Sequence, residues 1–174
     1  MKPSRAAYAL IIHFEGFRAK AYKCPSGVLT IGYGHTGAYG HTDDVKAIGY
    51  DRTNEVKAIS HNLTGEVKAT DVITKSKALD LLTQDVNKLC VPCLKDLKLT
   101  QYQYDALCSF IYNVGPTNFN KSTMKKLLTV GKYDEAAEQF DKWVKAKGKT
   151  LKGLVLRRSI EKRLFLGYYS YEVD

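Results

Sequence analysis

Glu15, Cys24 and Thr30 are separated by eight and five residues and lead straight into the run Ile31-Gly32-Tyr33-Gly34-His35. A carboxyl group can deliver a proton, a thiol can serve as a weak base, and a hydroxyl can hold a water molecule. One proton donor facing groups that manage water is suited to hydrolysing a bond whose leaving atom must be protonated. Residues 4–15 predict the helix that carries the acid: Ser4 caps it, Ala7, Leu10, Ile11 and Phe14 recur at helical spacing, and Gly16 stops it. Glu15 then falls at the helix C-terminus, where the macrodipole disfavours a carboxylate and is expected to raise its pKa. That is what a general acid at neutral pH requires. Taken alone, the same glutamate also reads as a solvated helix end.

The elements around this set follow from turn chemistry and periodicity. Pro25-Ser26-Gly27 signals a hairpin turn. The strand after it alternates, with Leu29, Ile31 and Tyr33 on one face and Thr30, Gly32 and Gly34 on the other. Glycines on one face let a ligand, or merely another strand, approach the backbone closely. Residues 42–74 hold three units of eleven, "TDDVKAIGYDR", "TNEVKAISHNL" and "TGEVKATDVIT". Eleven residues is about three helical turns, so the units could repeat one helical face, or each threonine could cap a short turn. The region reads as an expanded surface segment.

Helices are expected over Thr74–Leu89, Thr100–Val114 with a capping box from Thr100 and Gln103, Ser122–Val130, Asp134–Val144 and Leu151–Phe165. In the last, Leu154, Val155, Leu156, Ile160, Leu164 and Phe165 supply the apolar positions, with Arg157, Arg158 and Glu161 outward or half-buried. The order of helix, small sheet and then about five helices predicts an α+β fold whose sheet is confined to an early lobe.

A length of 174 residues suits a single domain, and 44% apolar residues suffice for a core. No apolar run approaches the ~18 residues that span a bilayer. Tyr8–Ile12 is too short for a secretory signal. Synthesis in a cytoplasm, with export by outside help, is therefore expected. The formal charge of +9 points to a polyanionic partner such as nucleic acid, anionic lipid or an acidic wall polymer, or else to a solubilising surface. No helix-turn-helix, zinc-finger or RNA-binding motif accompanies the charge. Cys24, Cys90, Cys93 and Cys108 could form two disulfides in three connectivities. Cys90-Val91-Pro92-Cys93 lies between two helical patterns, not in the βαβ setting of a redox motif, and no second Cys or His pair completes a zinc site. Cys108 sits on an apolar helix face and reads as a small core residue.

Glu15, eight residues, Cys24, five residues, Thr30 and then "IGYGHT" strongly resembles the catalytic region of phage-type lysozymes, the endolysins of tailed phages. "VITKSKALDLLTQDV" resembles that family's inter-lobe helix, "LTQYQYDALCSFIYNVG" its central core helix, and "NKSTMKKLL", "GKYDEAAEQF" and "GLVLRRSIEKRLFL" its later helices. The likeness runs from about Ser4 to Tyr169, and residues 38–63 fall outside it. It implies a two-lobed lysozyme-like fold, with a small β-containing lobe at about 13–72, including the repeat insertion. A helical lobe at about 73–174 would be joined to it by the long helix, with helix 4–15 packing on the helical lobe.

The resemblance implies hydrolysis of the β-1,4 bond between N-acetylmuramic acid and N-acetylglucosamine in peptidoglycan, with neither cofactor nor metal. By position, Glu15 matches the general acid, Cys24 the second catalytic position, which in the family is Asp or Cys, and Thr30 the water-holding threonine. Gly32, Tyr33, Tyr112, Ser122 and Gln139 fall where substrate would be bound, and His35 fits a buried histidine supporting the site. The expected partner is peptidoglycan, with anionic wall polymers attracted by the positive charge. No nucleic acid and no membrane span are expected, the chain would be a monomer, and it would act at the bacterial wall after synthesis in the host cytoplasm.

Cleavage of a glycosidic bond needs a proton on the leaving oxygen and a water or nucleophile for the oxocarbenium-like cation. A thiol with an ordinary pKa of roughly 8.5 is mostly uncharged at neutral pH, and Lys20 or Lys23 could lower that value. Two other readings share the single acid. A lytic transglycosylase would use the substrate's own hydroxyl and leave anhydro-muramic ends. A catalytically dead lysozyme fold would only bind walls.

Overall fold

A computed structural model describes residues 1–24, 27–36, 66–146 and 148–168. The first two repeat units lie outside the described residues. Two compact units emerge, residues 15–85 and residues 1–14 with the chain from Val86 onward.

In the first unit, β1 (Arg18–Lys23) and β2 (Leu29–Gly32) form an antiparallel hairpin with Tyr22 opposite Thr30 and Lys23 opposite Leu29. The free edge of β1 is taken by the chain arriving from the repeat. Ala21 N–H donates to Asp71 O at 3.0 Å and Ile73 N–H to Ala19 O at 2.9 Å. The described part of the third repeat unit is thus extended, with a turn in which Lys68 N–H donates to the buried Asp71 carboxylate at 2.8 Å. Its valine, Val67, is buried. The helical reading of the repeat fails at this unit, because pairing with β1 claims its backbone.

Helix α1 spans Arg5–Glu15 and α2 spans Lys75–Leu89. Ser4 Oγ accepts from Ala6 N–H at 3.1 Å, and Thr74 Oγ1 accepts from Lys77 N–H at 3.2 Å, so both expected caps form. A short helix α3, Val91–Leu94, separates α2 from α4, Gln101–Val114. The capping box at Thr100 and Gln103 is complete. Helix α4 is buried at every position from Tyr104 to Ile111 and so forms the centre of the larger unit. Pro116 at the first turn of α5 (Pro116–Lys121) starts a helix not anticipated in the sequence. Helix α6 (Thr123–Thr129) follows a Ser122 cap.

The helix expected over residues 134–144 is shorter. Helix α7 spans Tyr133–Glu138 and a 3₁₀ turn covers Phe140–Lys142. Three residues per turn bring Phe140 and Trp143 to the same side. Both rings meet Phe110 edge-on, at centroid distances of 5.2 and 5.5 Å. A small hairpin, β3 (Lys145–Ala146) with β4 (Lys149–Thr150), then precedes α8 (Lys152–Phe165).

Helix α8 corrects the sequence expectation most sharply. Leu156 is 55% exposed, and Val155 is also exposed, whereas Arg158 and Glu161 are 0% exposed and Arg157 is buried. Glu161 Oε1 accepts from Ser109 Oγ of α4 at 2.7 Å, from Arg157 Nε at 3.0 Å and from Arg158 Nη2 at 3.1 Å. Arg158 lies over the Phe110 ring, its guanidinium carbon 4.7 Å from the centroid. Burial pushes the Glu161 carboxyl up in pKa, and the two guanidinium groups oppose it. An ionic group can occupy a core when its charges are mutually matched and hydrogen-bonded. Here that requirement overrides the apolar periodicity.

Candidate active site

Glu15 ends α1 and, like Cys24 and Thr30, belongs to the smaller unit. Both Glu15 and Cys24 are half-buried, and Thr30 is buried. The residue that relates them is Tyr22, which sequence reasoning did not single out. Burial raises the Tyr22 pKa, the negative charges of Glu15 and then Cys24 raise it further, and Arg18 works in the opposite sense. The Arg18 guanidinium stands over the Tyr22 ring at 5.8 Å. Tyr22 is therefore within electrostatic reach of both the acid and the thiol, and Thr30 is its cross-strand partner on the same sheet face. A signal was present in the sequence: Tyr22 stands two residues before Cys24, which on a strand is the same side.

The hairpin turn locks the thiol-bearing residue to the hydroxyl. Cys24 N–H donates to Val28 O at 2.9 Å, and Thr30 Oγ1 donates to the same carbonyl at 3.1 Å. Gly27, with φ +89°, closes the turn through its N–H to Cys24 O at 2.7 Å. Because the Thr30 hydroxyl proton is spent on Val28, its oxygen is left to accept, and a water there would point a hydrogen at Thr30.

After Gly32 the strand reverses instead of continuing through Tyr33 and Gly34. His35 and Ile31 exchange backbone hydrogen bonds at 3.0 and 2.9 Å. The turn needs positive φ at Gly32, +66°, and at Gly34, +91°. A Cβ at Gly32 would stand 3.1 Å from Ala78 Cβ and 3.2 Å from Ile73 Cδ1, so the close approach at this glycine is made by α2 and the incoming strand. Tyr33 is buried, its ring centroid 5.6 Å from that of Phe17. His35 is buried, and its Nδ1 is hydrogen-bonded to the buried Asp85 of α2 at 2.8 Å. That contact ties the reversed turn to the helix.

Tyr112, Ser122 and Gln139 belong to the larger unit. Ser122 is buried and caps α6, its Oγ accepting from Lys125 N–H at 3.0 Å and donating to Phe119 O at 2.6 Å. Gln139 is half-buried at the end of α7 and donates to Glu135 O at 3.3 Å, and Tyr112 is half-buried on α4. None of the four cysteines is in a disulfide. Cys108 is buried, and its carbonyl accepts from Cys90 Sγ at 3.4 Å. Among the described residues no group of three or more His, Cys, Asp or Glu could hold a metal ion. Among them, too, no helix is long and apolar enough to cross a membrane.

Comparison with known proteins identifies what this arrangement is similar to. An endolysin of Acyrthosiphon pisum secondary endosymbiont phage 1 is 39% identical over 171 residues, covering 95% of this chain and 98% of that protein. The solved structure of an endolysin from Escherichia coli O157:H7 phage FAHEc1 superposes with a TM-score of 0.74 at 30% identity, over 99% of this chain and 98% of that one. A crystal structure of a P22 lysozyme mutant gives a TM-score of 0.71 at 32% identity, over 95% and 99%. The α+β architecture is that of the two-lobed lysozyme fold. Residues 12–161 match the family described as Phage lysozyme, and the chain belongs to that family.

Proposed function

We propose that this chain is a bacteriolytic muramidase that hydrolyses the β-1,4 bond between N-acetylmuramic acid and N-acetylglucosamine, with Glu15 as general acid and Cys24 and Thr30 managing the water. What supports the assignment of residues is that Glu15 and Cys24 both lie within electrostatic reach of Tyr22, whose cross-strand partner is Thr30. In the reaction, the Glu15 carboxyl gives its proton to the glycosidic oxygen as the bond to the anomeric carbon breaks. Water then adds to the oxocarbenium-like centre from the opposite face, which inverts the configuration. Thr30 Oγ1, already donating to Val28 O, accepts one hydrogen of that water and turns its lone pair toward the anomeric carbon. Cys24 takes up the proton the water releases, and solvent exchange returns Glu15 to its acid form. The role of His35, on this reading, is to hold the turn after β2 against α2.

Peptidoglycan is the substrate in this reading, and anionic wall polymers are a secondary attraction for the +9 charge. The protein would act as a monomer at the wall after synthesis in the host cytoplasm. The deciding experiment digests purified walls with wild type and with Glu15→Gln, following turbidity and the mass of released fragments. Loss of a general acid lowers the rate by about 10²–10⁴-fold, and wild type should leave reducing muramic ends. Anhydro-muramic ends would replace hydrolysis with transglycosylation, and equal lysis by the variant would remove Glu15 from the chemistry.

A further inference from the structure

Within the larger unit, a hollow of about 240 Å³ is lined by Thr100, Tyr102, Gln103, Tyr133, Asp134 and Gly167, among others. None of these residues has a part in the chemistry described above. Two large aromatic residues stand exposed at this place on the chain: Tyr102, which is 53% exposed and lines the hollow, and Tyr168, which is 71% exposed and follows the lining residue Gly167. Gly167, with φ +77°, lies beside Tyr102, such that a Cβ there would sit 3.9 Å from the ring. Polar groups line the same hollow. Gln103 uses its carbonyl oxygen to accept from Thr100 N–H at 2.9 Å, a bond that does not engage its two amide hydrogens. Asp134 brings an exposed carboxylate. Tyr133 donates its hydroxyl proton to Lys98 O, which anchors that ring in the wall of the hollow.

An exposed tyrosine face, an amide donor and a carboxylate acceptor around a shallow hollow match the two kinds of surface a pyranose presents. Its C–H faces lie on an aromatic ring, and its hydroxyls and acetamido group take hydrogen bonds from amides and give them to carboxylates. The volume is of the order of one hexose. The only charged side chain among the described lining residues is negative, which selects against carboxylated or phosphorylated units and in favour of a neutral sugar.

We propose that this hollow is an accessory binding site for a neutral N-acetylhexosamine unit of the glycan strand, separate from the residues that cleave it. The proposal rests on the glycan being this enzyme's substrate. A second foothold on a polymer raises the local concentration of its bonds around the enzyme without any change in the catalytic step.

The test is a titration of the full-length protein, as Glu15→Gln to prevent turnover, with chitotetraose, followed by amide chemical shifts. The expected result is perturbation at Thr100, Gln103, Asp134 and Gly167, weakened about fivefold or more by Tyr102→Ala and by Asp134→Asn. In the background with Glu15 intact, the same two exposed-site variants should adsorb less to insoluble walls while cleaving short soluble fragments at the wild-type rate. Shifts confined to residues 15–36, or no shifts up to millimolar sugar, would overturn the proposal. Shifts at the hollow that neither variant alters would also overturn it. Lysis of walls by the Glu15-containing protein, measured alongside, separates failure of this site from failure of the muramidase reading.

Discussion

Truncating Glu161 should be among the most damaging single changes in the larger unit, although a helical-wheel reading of α8 places it outward or half-buried. The perturbation is Glu161→Ala. It removes the acceptor of three hydrogen bonds, from Ser109 Oγ, Arg157 Nε and Arg158 Nη2, while Arg157 is buried and Arg158 is fully so. Breaking a buried ionic network by deleting one partner costs about 3–5 kcal/mol, because the remaining charge stays desolvated without its counter-ion. For a protein of this size each kcal/mol lowers Tm by about 2–4 °C, so the melting point should fall by roughly 6–20 °C.

The control is Leu156→Ser on the same helix. Leu156 is 55% exposed, so its replacement should stay within about 0.5 kcal/mol. Thermal and urea unfolding followed by circular dichroism measure both. Ser109→Ala should cost less than Glu161→Ala, and the double variant should cost less than the sum because the two share one hydrogen bond. A Glu161→Ala variant that loses under about 1 kcal/mol, or a Leu156→Ser variant that loses more than Glu161→Ala, would refute the buried network.

Three further outcomes are expected. Clean alkylation of Cys24 should abolish wall lysis without unfolding the chain, since the other three thiols are buried, and unchanged lysis after mass-verified modification at that residue would remove the thiol from the mechanism. Tyr104 has its pKa pushed up from 10.0 to about 12, first by burial and then by Cys108, Cys90, Asp105 and Tyr8. Its contribution is therefore complete below the unfolded value and lost as pH rises from there through the folded value, up to about 2–3 kcal/mol in all. Tyr104→Phe should flatten the alkaline limb of the stability profile, and an unaltered limb would contradict that assignment. Gly32→Ala should destabilise by at least about 1–3 kcal/mol, through the strain of positive φ and crowding against Ala78 and Ile73, and a neutral effect in urea unfolding would show that the turn can relax.

Much of this molecule is local, and so was legible in the residues alone. Ser4, Thr74, Thr100 with Gln103, and Ser122 mark helix starts, because a cap is a bond between a side chain and a backbone group two or three positions away. The intervals from Glu15 to Cys24 to Thr30 were equally readable, because a helix end, a hairpin and a turn leave few ways to arrange sixteen residues. What only tertiary structure decided was which groups far apart in sequence meet. Ser109 lies on a different helix from Glu161, and only their meeting makes Arg157, Arg158 and Glu161 an interior face and turns Leu156 outward. Ala78 and Ile73 explain the missing side chain at Gly32, which strand alternation had left open to a ligand or to another strand. Tyr22 acquires its place beside Glu15 and Cys24 only once the hairpin folds. Periodicity measures how apolar a face is, and the burial of a charge depends on the partner that another part of the chain brings to it.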